Sequence, residues 1–339
     1  MTGVYRPFVS VVVPCLNEEK YIENCLRGIA SQTYPGDRLE ILVADGGSAD
    51  GTPGILARLA AGIPNLRLME NPDRIQSSGL NRMIRESRGD VIVRIDAHCD
   101  YAPDYIEACV DVLAATGADN VGGAARPRAR TAFQRALCAA LSSRLGVGGS
   151  AYRSADREGY VDTVPFGAFR RSTLERVGLF NPRAATNEDA ELNQRILDAG
   201  GRIYLSRRIV VHYYPRESFA ALSRQYFRYG QGRARTLSRL GRFPTLRPAL
   251  PFLMVISGAL LLATSSVQPL TPAVFGAYAA ATAFEAVRTA RPIGWTAVPL
   301  VWAIFPVLHV SHGLGFAAGL LHFGVRPDTG PTERLAPRL

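Results

Sequence analysis

Val91-Ile92-Val93-Arg94-Ile95-Asp96-Ala97-His98 is the stretch on which the reading of this chain turns. Its β-branched part has the make-up of a short buried strand, and its end delivers a carboxylate and an imidazole two residues apart. Towards the N-terminus the same kind of run recurs at Phe8–Val13, Leu39–Ala44 and Leu66–Glu70. Helical patterns fill the intervals at Glu18–Ala30, Pro53–Ala61 and Ile75–Ser87, and another follows at Pro103–Ala115. Alternation of this kind, up to about Tyr204, predicts an α/β domain on a mainly parallel central sheet. Thr52 ahead of Pro53 predicts a helix start, with Thr as N-cap and Pro at the first helical position.

The chain holds 339 residues, 47% of them hydrophobic, which excludes a disordered tail protein. Its length fits roughly two domains. Cys15, Cys25, Cys99, Cys109 and Cys138 form no CxxC pair, so a disulfide scaffold is excluded and reduced thiols of a cytoplasmic domain are expected. Met1–Pro7 lacks an apolar core and Phe8–Pro14 is too short to be one, so no signal peptide is expected.

The formal charge of +10 would suit a nucleic-acid binder, but its distribution does not. No acidic residue occurs between Glu217 and Glu285, whereas Arg224, Arg228, Arg233, Arg235, Arg239, Arg242 and Arg247 fall there, directly before an apolar stretch. That excess is membrane-facing, and no nucleic-acid partner is expected. Pro248–Phe284 carries no charge, and Ile293–Val325 has no Asp, Glu, Lys or Arg. Three spans are predicted, near Ala249–Val267, Thr271–Val287 and Trp295–Phe323, since about 20 apolar residues cross a bilayer. A buried helical core is the plainer alternative, but core helices of soluble domains seldom lack charge over such lengths. The Arg run, with Arg288 and Arg291, would be cytoplasmic, the Gln268–Pro272 turn outside, and the C-terminus outside. The expected organisation is a cytoplasmic head at 1–217, a basic interfacial helix at 218–247, a multi-pass inner-membrane region at 248–325 and a tail at 326–339. His309 and His312 share a face of the third span and are read either as lining a lipid groove or as hydrogen-bonded between helices.

Ligands of an open parallel sheet bind beyond the carboxyl ends of the strands. Pro14-Cys15-Leu16-Asn17-Glu18-Glu19 after the first strand and Asp45-Gly46-Gly47-Ser48 after the second should therefore meet on one edge. Gly46 and Gly47 allow close backbone approach, and Asp45 can accept hydrogen bonds from a base or ribose. Asp96 and His98 can project towards a divalent cation, which a nucleotide diphosphate leaving group needs. Asn187-Glu188-Asp189-Ala190-Glu191 heads a probable helix at Asp189–Ala199, and a carboxylate at a helix N-terminus stays ionised, as a general base must. Helix-dipole stabilisation alone would also explain these acids.

Together, Phe8–Pro14 with Asn17-Glu18, Asp45-Gly46-Gly47-Ser48 and Asp96-Ala97-His98 resemble the successive nucleotide-binding motifs of family 2 inverting glycosyltransferases of the GT-A fold. The family's Asp-x-Asp metal motif reads Asp-x-His here, as in relatives similar to the succinoglycan-type glucosyltransferases. The resemblance covers about Phe8–Gly230. It implies donor binding by Pro14, Asn17, Glu18, Asp45, Gly47, Arg74, Asn81 and Asp96, and Mg²⁺ or Mn²⁺ on Asp96 and His98, with His212 as a further ligand. It implies catalysis by Asp189 as base, with Glu188 beside it, and acceptor or diphosphate contacts from Phe166 and Gly167. Arg224-Gln225-Tyr226-Phe227-Arg228-Tyr229 is similar to the family's Gln-x-x-Arg-Trp motif, which implies roles for Gln225, Arg228 and Tyr229. A polybasic helix attracted to anionic lipid is the plainer reading of that segment.

The function so implied is transfer of one sugar from a nucleotide diphosphate sugar, expected to be a UDP-sugar such as UDP-glucose, to a lipid-linked saccharide at the membrane. Transfer onto polyprenyl phosphate, processive synthesis, and a catalytically silent membrane scaffold are the alternatives. Three spans are too few to enclose a pore, which favours single addition. Ala129–Gly149, with Phe133, Ala136, Leu137, Ala140 and Leu141 at helical spacing, is expected to be an amphipathic lid or plain core.

Overall fold

The β-branched runs Val9–Cys15, Leu39–Asp45 and Val91–Arg94 become strands buried on both faces, whereas Leu66–Glu70, at the edge of the sheet, is mostly exposed. The computed structural model of the chain describes residues 6–148, 151–184, 186–240, 247–265, 268–325 and 334–335. The chain divides into two compact units, Met1–Arg126 with Ser154–Tyr213 and Pro331–Leu339, and Pro127–Arg153 with Tyr214–Gly330.

In the first unit β1 (Val9–Cys15), β2 (Leu39–Asp45), β3 (Leu66–Glu70) and β4 (Val91–Arg94) run parallel in the order β3-β2-β1-β4. Between them stand α1 (Ile22–Ala30), α2 (Thr52–Gly62) and α3 (Gln76–Glu86). Then come β5 (Cys99–Tyr101), α4 (Tyr105–Thr116), β6 (Asn120–Gly122) and β7 (Ala125–Pro127). The second unit inserts α5 (Ala132–Leu141) and α6 (Arg144–Val147) before the chain returns with β8 (Gly159–Tyr160) and β9 (Ala168–Arg170). The first unit closes with α7 (Arg171–Val177), α8 (Glu188–Asp198), β10 (Ile203–Leu205) and β11 (Val211–Tyr213).

Strand β9 lies antiparallel between β4 and β6, and β10 and β8 extend the sheet to eight strands. A second sheet has the order β5-β11-β7. Strand order reverses between β1 and β4, and open α/β sheets bind ligands beyond the carboxyl ends of the strands at such a point. The predicted strands and the first four helices match within a few residues. Thr52 does not cap its helix, which Gly51 precedes without a side-chain bond. The Thr52 hydroxyl instead accepts from Glu18 N at 2.8 Å, an expenditure on the site rather than on the helix.

The second unit consists of helices. Helix α9 (Phe219–Leu240) lies along α12 (Val298–Val325), which also meets α10 (Leu250–Ala263) and α11 (Leu270–Ala290). Ala136, Leu137, Ala140 and Leu141 of α5 are buried with Leu222, Ala286, Val301, Phe305 and Leu308. Within the expected Ala129–Gly149 lid, helix α5 is thus core of this unit, and Gly149 lies outside the described residues. Two helical segments, Leu270–Ile293 and Trp295–Gly324, are long and apolar enough to cross a membrane. Their surroundings leave large apolar side chains bare, with Phe284 70%, Trp295 66% and Leu321 75% exposed. Within the expected first span, helix α10 has 14 residues, a rise of about 21 Å against a hydrocarbon core of about 30 Å, so a crossing there would need the residues that flank it. Arg242, residues 266–267 of that span and most of the 326–339 tail lie outside the described residues.

His309 settles the second of its two readings. Its Nδ1 is 2.8 Å from the Tyr278 hydroxyl and its Nε2 2.8 Å from Leu145 O, so it joins α11, α12 and α6. The buried Nδ1 of His312 has no hydrogen-bond partner among the described residues.

Candidate active site

The loops after β1 and β2 meet, as their strand positions require, and are sewn together by reciprocal hydrogen bonds. Asn17 N donates to Ser48 Oγ at 2.8 Å while Ala49 N donates to Asn17 Oδ1 at 2.9 Å. Glu19 N donates to Asp50 Oδ2 at 3.2 Å, and Gly51 N returns a bond to Glu19 Oε2 at 2.9 Å. Asp45 accepts from the Ser48 hydroxyl at 2.5 Å and from Ser48 N at 3.1 Å, which fixes its carboxylate at the strand end. Arg74 clamps the glycines, its Nε bonding Gly46 O at 3.1 Å and its Nη2 Gly47 O at 3.2 Å. Gly47 itself has φ +74°.

Among the described residues four other than glycine hold a left-handed backbone, and all four belong to these loops or their neighbours: Asn17, Arg74, Phe166 and Asn187, with φ between 52° and 58°. Bulky side chains adopt that conformation only where the surroundings over-determine it, and such sites concentrate where ligands are held.

Asp96 lies two residues beyond β4 and is buried. Arg94 Nε donates to its Oδ1 at 3.0 Å, Gln76 Nε2 reaches the same oxygen at 3.3 Å, and Arg94 Nη2 is 3.4 Å from Oδ2. Burial opposes ionisation, but the Arg94 guanidinium prevails and, with His98 beside it, holds the Asp96 carboxyl below the usual carboxylate range. The Asp96 amide donates to the Tyr101 hydroxyl at 2.8 Å. On its other side Arg94 Nη1 lies 2.9 Å from Glu188 Oε1, a charge contact without the alignment of a hydrogen bond. Burial pushes Glu188 above its ordinary value, Arg94 pulls it back, and Asp189 pushes it up again.

Glu188 is therefore a buried partner of Arg94, not an accessible acid, which corrects its expected place beside the base. Asp189, the next residue, is half-buried and accepts from Ala190 N at 2.7 Å. The helix that carries both begins at Glu188 rather than Asp189, after the left-handed Asn187. Gly167 is buried and its carbonyl accepts from Arg94 N at 3.1 Å, while the Phe166 carbonyl accepts from the Tyr105 hydroxyl at 3.1 Å. Pro14 lies in β1 opposite Ala44. Asn81, expected on the donor side, is fully buried and donates to Phe180 O at 2.8 Å, so it braces α3 instead. Gln225, Arg228 and Tyr229 lie on α9 in the second unit, where Tyr229 is 5.5 Å from the Tyr226 ring.

Of the residues expected to hold a cation, Asp96 and His98 lie between β4 and β5 and His212 lies in β11. His98 is exposed and its Nδ1 stands 3.2 Å from Glu18 Oε1. His212 is in β11, opposite Asp100 of β5. Among the described residues no three His, Cys, Asp or Glu side chains converge as a metal cage. One carboxylate and one imidazole fit a cation held largely by phosphate oxygens and water, the usual way Mg²⁺ is bound beside a nucleotide.

Arg94, Gln76 and Tyr101 take part in the site without a role expected from the sequence. For Arg94 the signal was there: a guanidinium inside a buried β-branched strand must have carboxylate partners.

Residues 10–178 match the family described as Glycosyl transferase family 2, and the chain belongs to it. Its fold is the GT-A glycosyltransferase fold. Over 320 residues it is 35% identical to the succinoglycan biosynthesis protein ExoA of Rhizobium meliloti (strain 1021), covering 92% of this chain and 95% of that one. It is 27% identical over 326 residues, 93% of this chain and 97% of the relative, to a dolichyl N-acetyl-alpha-D-glucosaminyl phosphate 3-beta-D-2,3-diacetamido-2,3-dideoxy-beta-D-glucuronosyltransferase of Methanococcus voltae. Among solved structures, the mannosyltransferase PcManGT from Pyrobaculum calidifontis, in complex with GDP-Man and Mn²⁺, is similar with a TM-score of 0.66 at 24% identity, covering 94% of this chain and 88% of that one.

Proposed function

We propose that the chain is a membrane-bound, inverting, cation-dependent glycosyltransferase that adds one sugar from UDP-glucose to a lipid-linked saccharide in exopolysaccharide or cell-envelope glycan synthesis. The observation that carries this reading is the link from the strand-end carboxylate Asp96 through Arg94 to the head of α8, where Asp189 stands accessible.

The base and ribose of the donor lie against the sewn loops of Asn17, Glu18 and Asp45, with Arg74 keeping the glycine turn in shape. Asp96 and His98 would hold Mg²⁺ or Mn²⁺, which when bound neutralises charge developing on the leaving diphosphate. Asp189 takes the proton of the acceptor hydroxyl. The acceptor oxygen bonds to the anomeric carbon as the bond from that carbon to the diphosphate breaks, and the electron pair leaves with the nucleotide. One in-line displacement inverts the anomeric centre. Asp189 is favoured over Glu188 as base because it is reachable, whereas Glu188 is spent on Arg94.

The lipid-linked acceptor is supported by the printed activity of the Methanococcus voltae relative and by the two apolar helical segments with bare apolar surfaces. A screen of radiolabelled UDP- and GDP-sugars with extracted membrane lipid, with and without EDTA, tests the reading. Label should enter the lipid fraction from one donor, UDP-glucose on this account, and EDTA should abolish it. No incorporation from any donor would refute it.

A further inference from the structure

We propose that Arg94 is a positioning residue that fixes the Asp96 carboxylate on the donor side and the Glu188–Asp189 turn on the acceptor side at a set separation. This rests on the glycosyltransfer reading above. Arg94 is the last residue of β4, in register with Val12 of β1, and its amide donates to Gly167 O at 3.1 Å, so its backbone has little freedom. Its side chain is buried between Asp96, 3.0 Å away, and Glu188, 2.9 Å away. A buried guanidinium is tolerated only when paired, and here its planar fork spans carboxylates from two different elements.

The rest of α8 is anchored elsewhere. Arg195 donates to Val177 O and Leu179 O, both at 2.6 Å, and Asn193 donates to Thr163 Oγ1 at 2.8 Å. Its first turn meets Arg94 through Glu188. Arg94 thereby links the turn that carries Asp189 to Asp96. Its contacts on Asp96 also have a direction: Nε and Gln76 both load Oδ1, and the longer contact leaves Oδ2 the less committed oxygen.

The test compares full-length Arg94→Met, Arg94→Lys, Glu188→Gln and the Arg94→Met/Glu188→Gln double variant in detergent. Transfer kinetics with UDP-glucose and lipid extract are read beside calorimetric binding of UDP or GDP with Mn²⁺, thermal melting, and amide hydrogen exchange at residues 94–101 and 186–192. Arg94→Met should lower kcat by about 100-fold, the order expected for a misplacement of about 1 Å, and speed exchange in both segments. Arg94→Lys should recover part of kcat. The double variant should be no slower than Arg94→Met alone, since both changes cut one link. Wild-type kcat in folded Arg94→Met, or losses that multiply in the double variant, would overturn the proposal. If Arg94→Met does not fold, Glu188→Gln decides: faster exchange at 186–192 and lower kcat with unchanged nucleotide binding support it, and wild-type values of both overturn it. Should the wild type neither bind UDP or GDP nor transfer sugar, the glycosyltransfer reading falls, while the exchange data still decide whether Arg94 couples the two segments.

Discussion

His98 Nδ1 stands 3.2 Å from Glu18 Oε1, so the loop after β4 is tied to the loop after β1 across the point where strand order reverses. His98→Asp turns that attraction into repulsion between two carboxylates and at the same time supplies a second hard ligand beside Asp96. Mg²⁺ should then support transfer better relative to softer ions than it does in the wild type, because hard oxygen ligands suit it. Activation curves for Mg²⁺, Mn²⁺ and Co²⁺ check this, and an unchanged order of preference would remove His98 from the cation shell.

Asp189→Asn keeps shape and deletes only the proton acceptor. Turnover should fall by roughly 10²–10⁴-fold while binding of nucleotide and Mn²⁺ stays within a few-fold, the signature of general-base loss. Single-turnover transfer and calorimetry separate the two quantities. Activity equal to wild type would leave Asp189 as a helix-dipole partner.

Arg74→Ala should raise KM for the donor by about 10-fold with a smaller change in kcat. It removes two hydrogen bonds, to Gly46 O and Gly47 O, each worth on the order of 1 kcal/mol, and so loosens the loop that receives the nucleotide. Steady-state kinetics at saturating acceptor would show it.

Gly167→Ala should destabilise the first unit, by about 1–3 kcal/mol or to the point of misfolding. A methyl there would meet Asn120 Oδ1 at 2.3 Å and the Phe169 ring at 2.7 Å, and Asn120 is itself bonded to Asn193 of α8. Thermal melting checks it, and an unchanged midpoint would contradict the packing described.

Much of the donor side was legible because period-two and β-branched patterning leave little freedom: β1 to β4 fall where the apolar runs lie, and their loops meet because parallel strands end on one edge. What was not legible depended on tertiary pairing. Thr52 reads as a cap but serves Glu18, and Asn81 reads as a donor contact but serves Phe180. Residue chemistry alone does not separate Glu188 from Asp189, and only the family resemblance picks Asp189; in the structure Arg94 takes Glu188 and leaves Asp189 half-buried. The α5 segment has an amphipathic face whose partners, on α9, α11 and α12, begin about 80 residues further on.

On the proposed membrane reading, positive-inside bias would set Arg288 and the α9 arginines on the cytoplasmic side, so the chain would cross between Arg247 and Leu270 and the turn before α11 should face outward. A single cysteine at Leu270, 59% exposed, should react with an impermeant maleimide in intact cells. Background is low because four native cysteines are buried and Cys138 is half-buried. Labelling only after permeabilisation would reverse the orientation.

The account stands most directly on whether sugar moves from a nucleotide to lipid through Asp189. Membranes containing wild type or Asp189→Asn, supplied with radiolabelled UDP-glucose and Mn²⁺, should differ in one respect: label in the organic-extractable fraction with wild type and background with the variant. Equal incorporation by the two, or none by wild type with any UDP- or GDP-sugar offered, would contradict it.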